Sequence, residues 1–327
     1  MGLIVSDIVA EYGAYYIKGG QNEARLKRLL LFGRETVKQA TKVKTEDTVF
    51  RLAQSSVSSL VQSFQKTWTP KGDVTFTPNP IQLYNLKVDL DLYPDEIKNS
   101  WLAFLESNNL SRKEWPLIRY IMEVHLITRI DDDMERNEYY KGIYTAPTAG
   151  TAGLNGKSMN GVEYLLKNNA GVNRVALGAA LDPSTIYDQM EEFYELVSEE
   201  YQNTRMIIGV APKWKRAFLK DKRSLGYYDI SSSKEINDSL DFSPARVVGL
   251  PSMIGSDDIW ATPADNFLHV TRFGENASKF KVEEAKRCVS IMTDWWEGLG
   301  FGINEAVWTT VKGAEGGEPE PDPNPEG

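Results

Sequence analysis

The sequence has little of the chemistry that most catalytic and metal sites use. Its 327 residues include one cysteine, Cys288, and two histidines, His125 and His269. A single cysteine forms no disulfide within the chain, and two histidines leave little for a zinc site or a histidine-based catalytic site. We therefore expect folding to rest on packing, and each histidine to fill a core or an interface.

Long apolar runs are also lacking. The longest are far shorter than the roughly 20 residues that cross a bilayer. The first residues, MGLIVSDIVAEYG, carry Asp7 and Glu11 where a signal peptide needs an apolar centre. Because 41% of the residues are hydrophobic and 25% are charged, we expect a soluble globular protein with no membrane partner.

Outside one early segment, acidic residues outnumber basic ones. The net charge is −9, yet residues 18–51 contain nine Lys or Arg and only four Asp or Glu. The last residues, EGGEPEPDPNPEG, hold five acids and no base. Their proline and glycine prevent regular structure, so we expect a disordered acidic tail over 313–327.

Two segments have clear strand character. In SSLVQSFQKTWTPKGDVTFTP, a turn at PKGD separates two β-prone stretches, which predicts a long protruding hairpin with Trp68 exposed. IQLYNLKVDLDLYP alternates apolar and charged residues and predicts a strand with one buried face. Near the end, RCVSIMTDWWEGLGFGINEAVWTTV predicts two strands joined by a turn at EGLG, returning to pair with the strand near Leu90.

Three segments have helical periodicity. SRKEWPLIRYIMEVHLITRIDDDMERNEYYKG opens with Ser111 and Glu114 at capping-box spacing and predicts about thirty residues of helix, about 45 Å. LDPSTIYDQMEEFYELVSEEYQN predicts a helix capped by Asp182 with one apolar stripe: Ile186, Met190, Phe193 and Val197. RMIIGVAPKWKRAFLKDKRSLGYYD predicts a buried strand followed by a strongly basic helix.

Segments that resemble catalytic or ligand motifs fit ordinary structural roles better. GTAGLNGKS has Thr151 where a phosphate-binding loop needs glycine, which favours an ordinary flexible loop. GLGFG favours a β-turn, SSSK lies in a polar loop, and DDDMERNE favours a solvated helix end over a cation site. We therefore expect no catalytic, cofactor-binding or metal residues, and no enzyme.

The order of elements from the basic helix onward resembles a known family. An apolar strand, a basic helix, a turn through LGYYD, then ARVVGLPSM and DDIWATPADNFLHV follow one another. Together with the long helix ending in YYKG and the closing GFGINEAVW, this resembles the tailed-phage major capsid proteins of the Hong Kong 97 type. The resemblance covers roughly residues 57–311 and rests on pattern and element order.

The resemblance implies an α+β, Hong Kong 97-like fold built from six segments. They are an N-terminal arm (1–56), an extended hairpin loop (57–80), a peripheral domain with a long spine helix (81–144), an axial domain (145–275), the second part of the peripheral domain (276–312) and the tail (313–327). It also implies a major capsid protein of the virion, assembled in the host bacterial cytoplasm. Such subunits form hexamers and pentamers of an icosahedral shell around a double-stranded DNA genome.

The partners implied are other copies of the chain, with portal, scaffolding and decoration proteins and non-specific contact with packaged DNA. A chain with net charge −9 is poorly suited to bind duplex DNA specifically. We therefore expect the basic helix to face acidic surfaces of neighbouring subunits. The subunit-interface candidates are Trp68, Pro70, Lys71, Gly72, Lys213, Lys215, Arg216, Lys220, Glu191 and Glu192.

Two alternatives remain open. An encapsulin-like compartment would share the fold but enclose cargo enzymes. A soluble enzyme of another kind would break the fold assignment. Particle size and contents separate the first from a virion, and a monomer in solution favours the second.

Overall fold

Three β-sheets and the helices around them make up the described part of the chain in the computed structural model. The described residues are 5–12, 14–15, 26, 29, 34–57, 59–112, 114–226, 238–273, 279–285 and 287–313. The SSSK segment and nearly all of the predicted acidic tail lie outside them.

Strands and helices are distributed along the whole described part of the chain. The strands are β1 (Thr41–Thr45), β2 (Val49–Val57), β3 (Val74–Gln82), β4 (Tyr84–Leu92), β5 (Asn173–Arg174), β6 (Met206–Val210), β7 (Arg246–Gly249), β8 (Trp260–Pro263), β9 (Phe267–Arg272), β10 (Lys279–Ala285), β11 (Cys288–Phe301) and β12 (Trp308–Thr309). The helices are Val5–Tyr12, Glu35–Lys38, Pro94–Ser107, residues 117–138, Val162–Asn168, Ile186–Glu195, Glu199–Gln202 and Pro212–Ser224. Within the described ranges, no helix has the length and apolar character to span a bilayer.

The first sheet brings together strands from both ends of the chain. Its order is β1-β9-β11-β10, and β4 also pairs with β11. In β4, Leu86 is buried whereas Lys87 and Asp89 are exposed, as the alternation predicts. Ile291 of β11 lies opposite Leu90 of β4. The predicted return of the C-terminal region to the strand near Leu90 is therefore confirmed.

β11 shows that the predicted turn at EGLG is wrong. The strand continues through Gly298 and Gly300 without a break. The hairpin lies earlier, where Ala285 of β10 pairs with Cys288 of β11. The glycines serve close packing instead of a turn, because a Cβ at Gly300 would lie 2.5 Å from Ile81 Cγ1.

β2 and β3 form the predicted hairpin as a separate two-stranded sheet. Pairing begins with Val49 opposite Gln82, so the hairpin starts well before the predicted limit of 57–80. The sequence signal for β2 is weak because the second half of VFRLAQSSV has few β-branched or aromatic residues. At the base, Asn79 Nδ2 donates a hydrogen bond to the carbonyl oxygen of Phe301, at 2.7 Å.

The long helix, residues 117–138, is shorter than predicted and measures about 33 Å at 1.5 Å per residue. Pro116 is its N-cap residue and has an extended backbone. Ser111 and Glu114 do exchange the predicted hydrogen bonds, at 3.2 and 3.3 Å, but these close a turn that precedes the helix. Two stretches are wound as π-helix: Ile121–Leu126 and Met134–Glu138.

Described residues of the predicted N-terminal arm pack against the rest of the chain. Ile8, Tyr12 and Val37 are buried, and the Tyr12 hydroxyl donates to the carbonyl oxygen of Phe280 at 3.2 Å. β1 extends the first sheet by pairing in parallel with β9. The segment predicted as an arm thus supplies both core residues and a strand.

The second sheet has the order β5-β12-β8-β6-β7. The predicted strand after Arg205 is β6, in which every residue is buried. The helix Ile186–Glu195 starts later than predicted, because the Asp182 carboxylate accepts from the Ser184 N–H at 2.8 Å in a preceding turn. Its predicted stripe is buried as expected: Ile186, Met190, Phe193 and Val197.

The two larger sheets do not follow the predicted limit between 145–275 and 276–312. β9 lies before this limit and pairs in the first sheet, whereas β12 lies after it and pairs in the second. The chain therefore crosses between the sheets more than once.

Candidate assembly surfaces

The hairpin tip, residues 59–73, concentrates exposed apolar side chains. Every residue in it is exposed. Val61 is 86% exposed, Phe64 92% and Trp68 90%, and Leu60 is also exposed. Single exposed apolar residues are common on protein surfaces, but four of them between positions 60 and 68 form the kind of patch that marks an interaction site.

Hydrogen bonds across the hairpin tip join its two sides. Gln62 Nε2 donates to the carbonyl oxygen of Thr69 at 2.7 Å, and Lys71 Nζ donates to that of Val61 at 2.6 Å. Gly72 has a φ of 98°, which glycine adopts without strain. Four of the predicted interface residues lie on this loop: Trp68, Pro70, Lys71 and Gly72.

The basic helix, Pro212–Ser224, uses part of its charge within the chain. Lys213 forms an ion pair with Asp257, and its hydrogen bond lowers the pKa of that carboxyl. Lys215 Nζ lies 3.2 Å from Asp238 Oδ2. Arg216 is exposed and makes no ion pair with any described residue, and the same holds for Lys220. Of the four candidates on this helix, Arg216 and Lys220 are therefore the two that face solvent without an ion pair to a described residue.

The acidic helix, Ile186–Glu195, packs directly beside the basic helix. The rings of Tyr187 and Phe218 stack with centroids 5.5 Å apart. The Tyr187 N–H donates to Oδ2 of the buried Asp221 at 3.0 Å. The two helices that the sequence suggested as partners between subunits are therefore neighbours within one subunit.

The two predicted acidic candidates differ in their surroundings. Glu191 is half-buried beside the Tyr187 hydroxyl, and burial together with this carboxylate raises the pKa of Tyr187. Glu192 is exposed, and its Oε1 accepts a hydrogen bond from the Gly178 N–H at 2.8 Å. The Glu192 side chain thus lies at the surface.

A buried network of charged groups lies where the N-terminal segment meets the long helix and β11. Arg34 Nε donates to Asp131 Oδ1 at 2.9 Å, and its Nη1 donates to Glu297 Oε1 at 3.0 Å and to the Tyr139 hydroxyl. His269 Nε2 lies 3.0 Å from Glu297 Oε2. The side chains of Arg34 and Glu297 are both inaccessible to solvent. The network therefore compensates a buried guanidinium with two carboxylates.

The pKa values of the carboxyl groups in this network and of the neighbouring Glu135 are shifted in opposite directions. Burial alone would raise the pKa of Glu297, but Arg34 and His269 outweigh it and lower that pKa to about 2. For Asp131 and Glu135 burial dominates and raises the pKa of each. Of these three carboxyls, Glu297 is therefore the one whose charged form the fold favours.

Three of the five carboxylates of DDDMERNE point inward, although the segment resembles a solvated helix end in sequence. Asp131, Glu135 and Glu138 lie at spacings of four and three, on one face of the long helix. The Thr36 N–H donates to Glu135 at 3.1 Å, and the Gly156 N–H donates to Glu138 at 2.8 Å. A solvated helix end is therefore the wrong prediction for these three residues, and their spacing was the available signal. The glycine-rich loop around residue 156 accordingly holds a carboxylate of the same chain.

The two histidines lie in different environments. His269 is buried and partnered, as expected. His125 is exposed in the single chain, which excludes a core role and leaves an interface role as the prediction, and it packs edge-on against Tyr120 with ring centroids 4.7 Å apart. It lines an apolar groove of about 540 Å³ between β4, the helix Pro94–Ser107 and the long helix. Among the described residues, no three His, Cys, Asp or Glu are grouped as they would be to hold a metal ion.

Comparison with known proteins finds similarity in structure but not in sequence. No protein-family model matches the chain, and no curated protein sequence matches it. A chain in the structure of the satellite phage P4 procapsid including the size determination (Sid) protein matches 88% of this chain and 89% of its own, with a TM-score of 0.54 and 11% identity. The capsids of empty and native GTA particles match 86% of this chain and 91% of their own, with TM-scores of 0.53 and identities of 15% and 16%.

The chain has the fold of phage capsid proteins. This capsid fold accounts for the mixture of sheets and helices described above. At identities of 11% to 16%, the likeness lies in the architecture and not in the sequence, which agrees with the lack of any sequence match. The element order, more than any single motif, therefore carried the resemblance seen in the sequence.

Proposed function

We propose that this protein is the major capsid protein of a tailed phage, of the Hong Kong 97 type. Its copies assemble into hexamers and pentamers of an icosahedral shell that encloses a double-stranded DNA genome. The supporting observation is the capsid fold, which extends over 88% of the chain in the comparison with the P4 procapsid. The role is structural and not enzymatic, and the protein belongs to the virion, assembled in the cytoplasm of the host bacterium.

The segments take the roles of that architecture. Residues 81–144 and 276–312 form the peripheral domain, with the long helix as its spine and with β9 added to its sheet, and the rest of residues 145–275 form the axial domain, to whose sheet β12 is added. Residues 1–56 correspond to the arm and 57–80 to the extended loop, whose first strand begins within the arm at Val49. Portal, scaffolding and decoration proteins are further partners, and contact with packaged DNA is non-specific.

The exposed apolar side chains of the hairpin tip support the proposal that this chain is a subunit of a larger assembly. An isolated two-stranded hairpin is marginally stable in water, and exposed apolar residues on it promote association. Phe64 and Trp68 are each at least 90% exposed in the single chain. In a shell, a neighbouring subunit covers them, so the same residues that are a liability in a monomer become contacts in the particle.

Negative-stain microscopy and sedimentation of the expressed chain test the proposal. We expect closed particles of uniform size, with a co-expressed scaffold if one is required. Only monomers or dimers under all assembly conditions would contradict a capsid role. Particles that enclose a cargo enzyme and no DNA would instead identify an encapsulin-like compartment.

A further inference from the structure

Two rows of opposite charge lie on the adjacent acidic and basic helices. The acidic stripe consists of Asp188, Glu192 and Glu195, and the basic stripe consists of Arg216, Lys220 and Arg223. Each stripe has spacings of four and then three residues, so each occupies one face of its helix. Each is about 10 Å long at 1.5 Å per residue. The two stripes therefore match in length and spacing.

Both stripes face solvent. The acidic helix buries the opposite face through Ile186, Met190 and Phe193, and the basic helix does so through Trp214 and Phe218. All six stripe residues are exposed. Within the described ranges, none of the six forms an ion pair. Their charges are thus available to another molecule.

The other lysines of the basic helix differ from the stripe. Lys213 pairs with Asp257 and Lys215 with Asp238, and the buried Lys222 lies 2.7 Å from Asp241. These three form their ion pairs within the chain itself. The basic stripe is what remains of the helix's charge after internal pairing.

We propose that the acidic stripe of one copy of this chain binds the basic stripe of a second copy. The inference rests on the proposed function and names the contact that would join subunits. Opposite charges at matched spacing select a partner and its register. Nucleic acid fits the basic stripe less well, because the acidic stripe on the neighbouring helix repels phosphates and the chain has a net charge of −9.

Charge reversal with rescue tests the contact. One variant carries Arg216→Glu with Arg223→Glu, a second carries Asp188→Lys with Glu195→Lys, and a third combines all four changes, so that the two end positions of each stripe are reversed while Lys220 and Glu192 stay as they are. The second variant leaves Glu192 unchanged because it also accepts the Gly178 N–H. We expect each pair of changes to lower particle yield roughly tenfold, since like charges then meet at every repeated contact. The combined variant should recover wild-type yield to within about twofold, since opposite charges meet again.

The matched control is Lys157→Glu with Arg205→Glu. Both residues are exposed outside the stripes, and the change in net charge equals that of the basic-stripe variant. Thermal unfolding of the unassembled chain should be unchanged in all variants. Equal loss of yield in the control, or no recovery in the combined variant, would overturn the inference.

Two further outcomes distinguish the contact between stripes from nucleic-acid binding and from a chain that does not assemble. If the basic-stripe variant assembles normally but its particles hold less DNA, the stripe binds nucleic acid and the inference is wrong. If the wild-type chain forms no particles, the proposed function fails. The contact is then judged by sedimentation at low salt, where wild-type chains must self-associate and the basic-stripe variant must not.

Discussion

Arg34 is a single side chain that joins three distant parts of the molecule. It reaches Asp131 and Tyr139 on and just after the long helix, and Glu297 on β11. Burial of a guanidinium is costly unless carboxylates compensate it. Nothing in the basic N-terminal sequence distinguishes Arg34 from its neighbours, because the partners that bury it lie far along the chain.

Arg34→Met should destabilise the chain strongly. The change keeps much of the side-chain volume but leaves Glu297 in the core without its guanidinium partner. Breaking a buried pair in this way typically costs about 3–5 kcal/mol. Urea unfolding of the unassembled chain measures the loss.

The matched control is Arg129→Met, which removes an exposed pair with Asp133. An exposed pair contributes about 0–1 kcal/mol. Similar losses for the two variants would mean that the buried network does not contribute as its geometry indicates.

Trp68→Ala should separate assembly from stability. The side chain is 90% exposed, so the urea midpoint of the unassembled chain should not change. Particle yield should fall, because losing an aromatic anchor costs on the order of 2 kcal/mol at each contact. Lys66→Ala, in the same exposed tip, is the comparison and should affect yield much less. A destabilised monomer with normal particles would place Trp68 in a core and contradict the proposed role of the tip.

At the scale of elements, sequence periodicity predicted β4, β6 and the buried stripe of the acidic helix, because alternation and helical spacing are local properties. It failed where a distant segment decides the outcome. Gly298 and Gly300 resemble a turn in sequence, yet they lie inside β11 because Gln82 and Ile81 cross closely above them. The three inward carboxylates of the long helix were missed for the same reason, since their partners Arg34, Thr36 and Gly156 lie in distant segments.

Gly298→Ala should destabilise the first sheet. A Cβ at this position would overlap the carbonyl oxygen of Gln82, which belongs to the backbone and cannot rotate away. Overpacking of this kind costs about 1–3 kcal/mol. Gly153→Ala is the control, because a Cβ there meets nothing within 4 Å. Equal unfolding midpoints for both variants would mean that the backbone adjusts without cost.

At the scale of the whole molecule, the buried network links stability to pH. The pKa of Glu297 falls from its ordinary value of 4.5 to about 2 on folding. Its contribution is therefore fully present above about pH 5 and is lost as the pH falls towards 2. Asp131 and Glu135 act in the opposite sense, because their raised pKa values favour the folded state when they are protonated.

The free energy of unfolding of the unassembled chain, measured by urea, should accordingly fall between about pH 4.5 and 2, with a loss on the order of 3 kcal/mol from Glu297. In Glu297→Gln this free energy should be lower overall, but its dependence on pH in this window should be flatter. The same steep fall in the variant as in the wild type would mean that other carboxyls produce it.

The contact between Arg34 and Glu297 also has a consequence for synthesis, because 263 residues separate the two. β1 likewise pairs with a strand that is synthesised much later, β9, with Thr41 opposite Leu268. At about 5–20 residues per second on the ribosome, the N-terminal segment emerges on the order of tens of seconds before its partners. During that interval its basic and apolar side chains have no native site to occupy. Chaperone supply during translation should therefore limit the yield of folded chain more than the intrinsic stability of the finished core does.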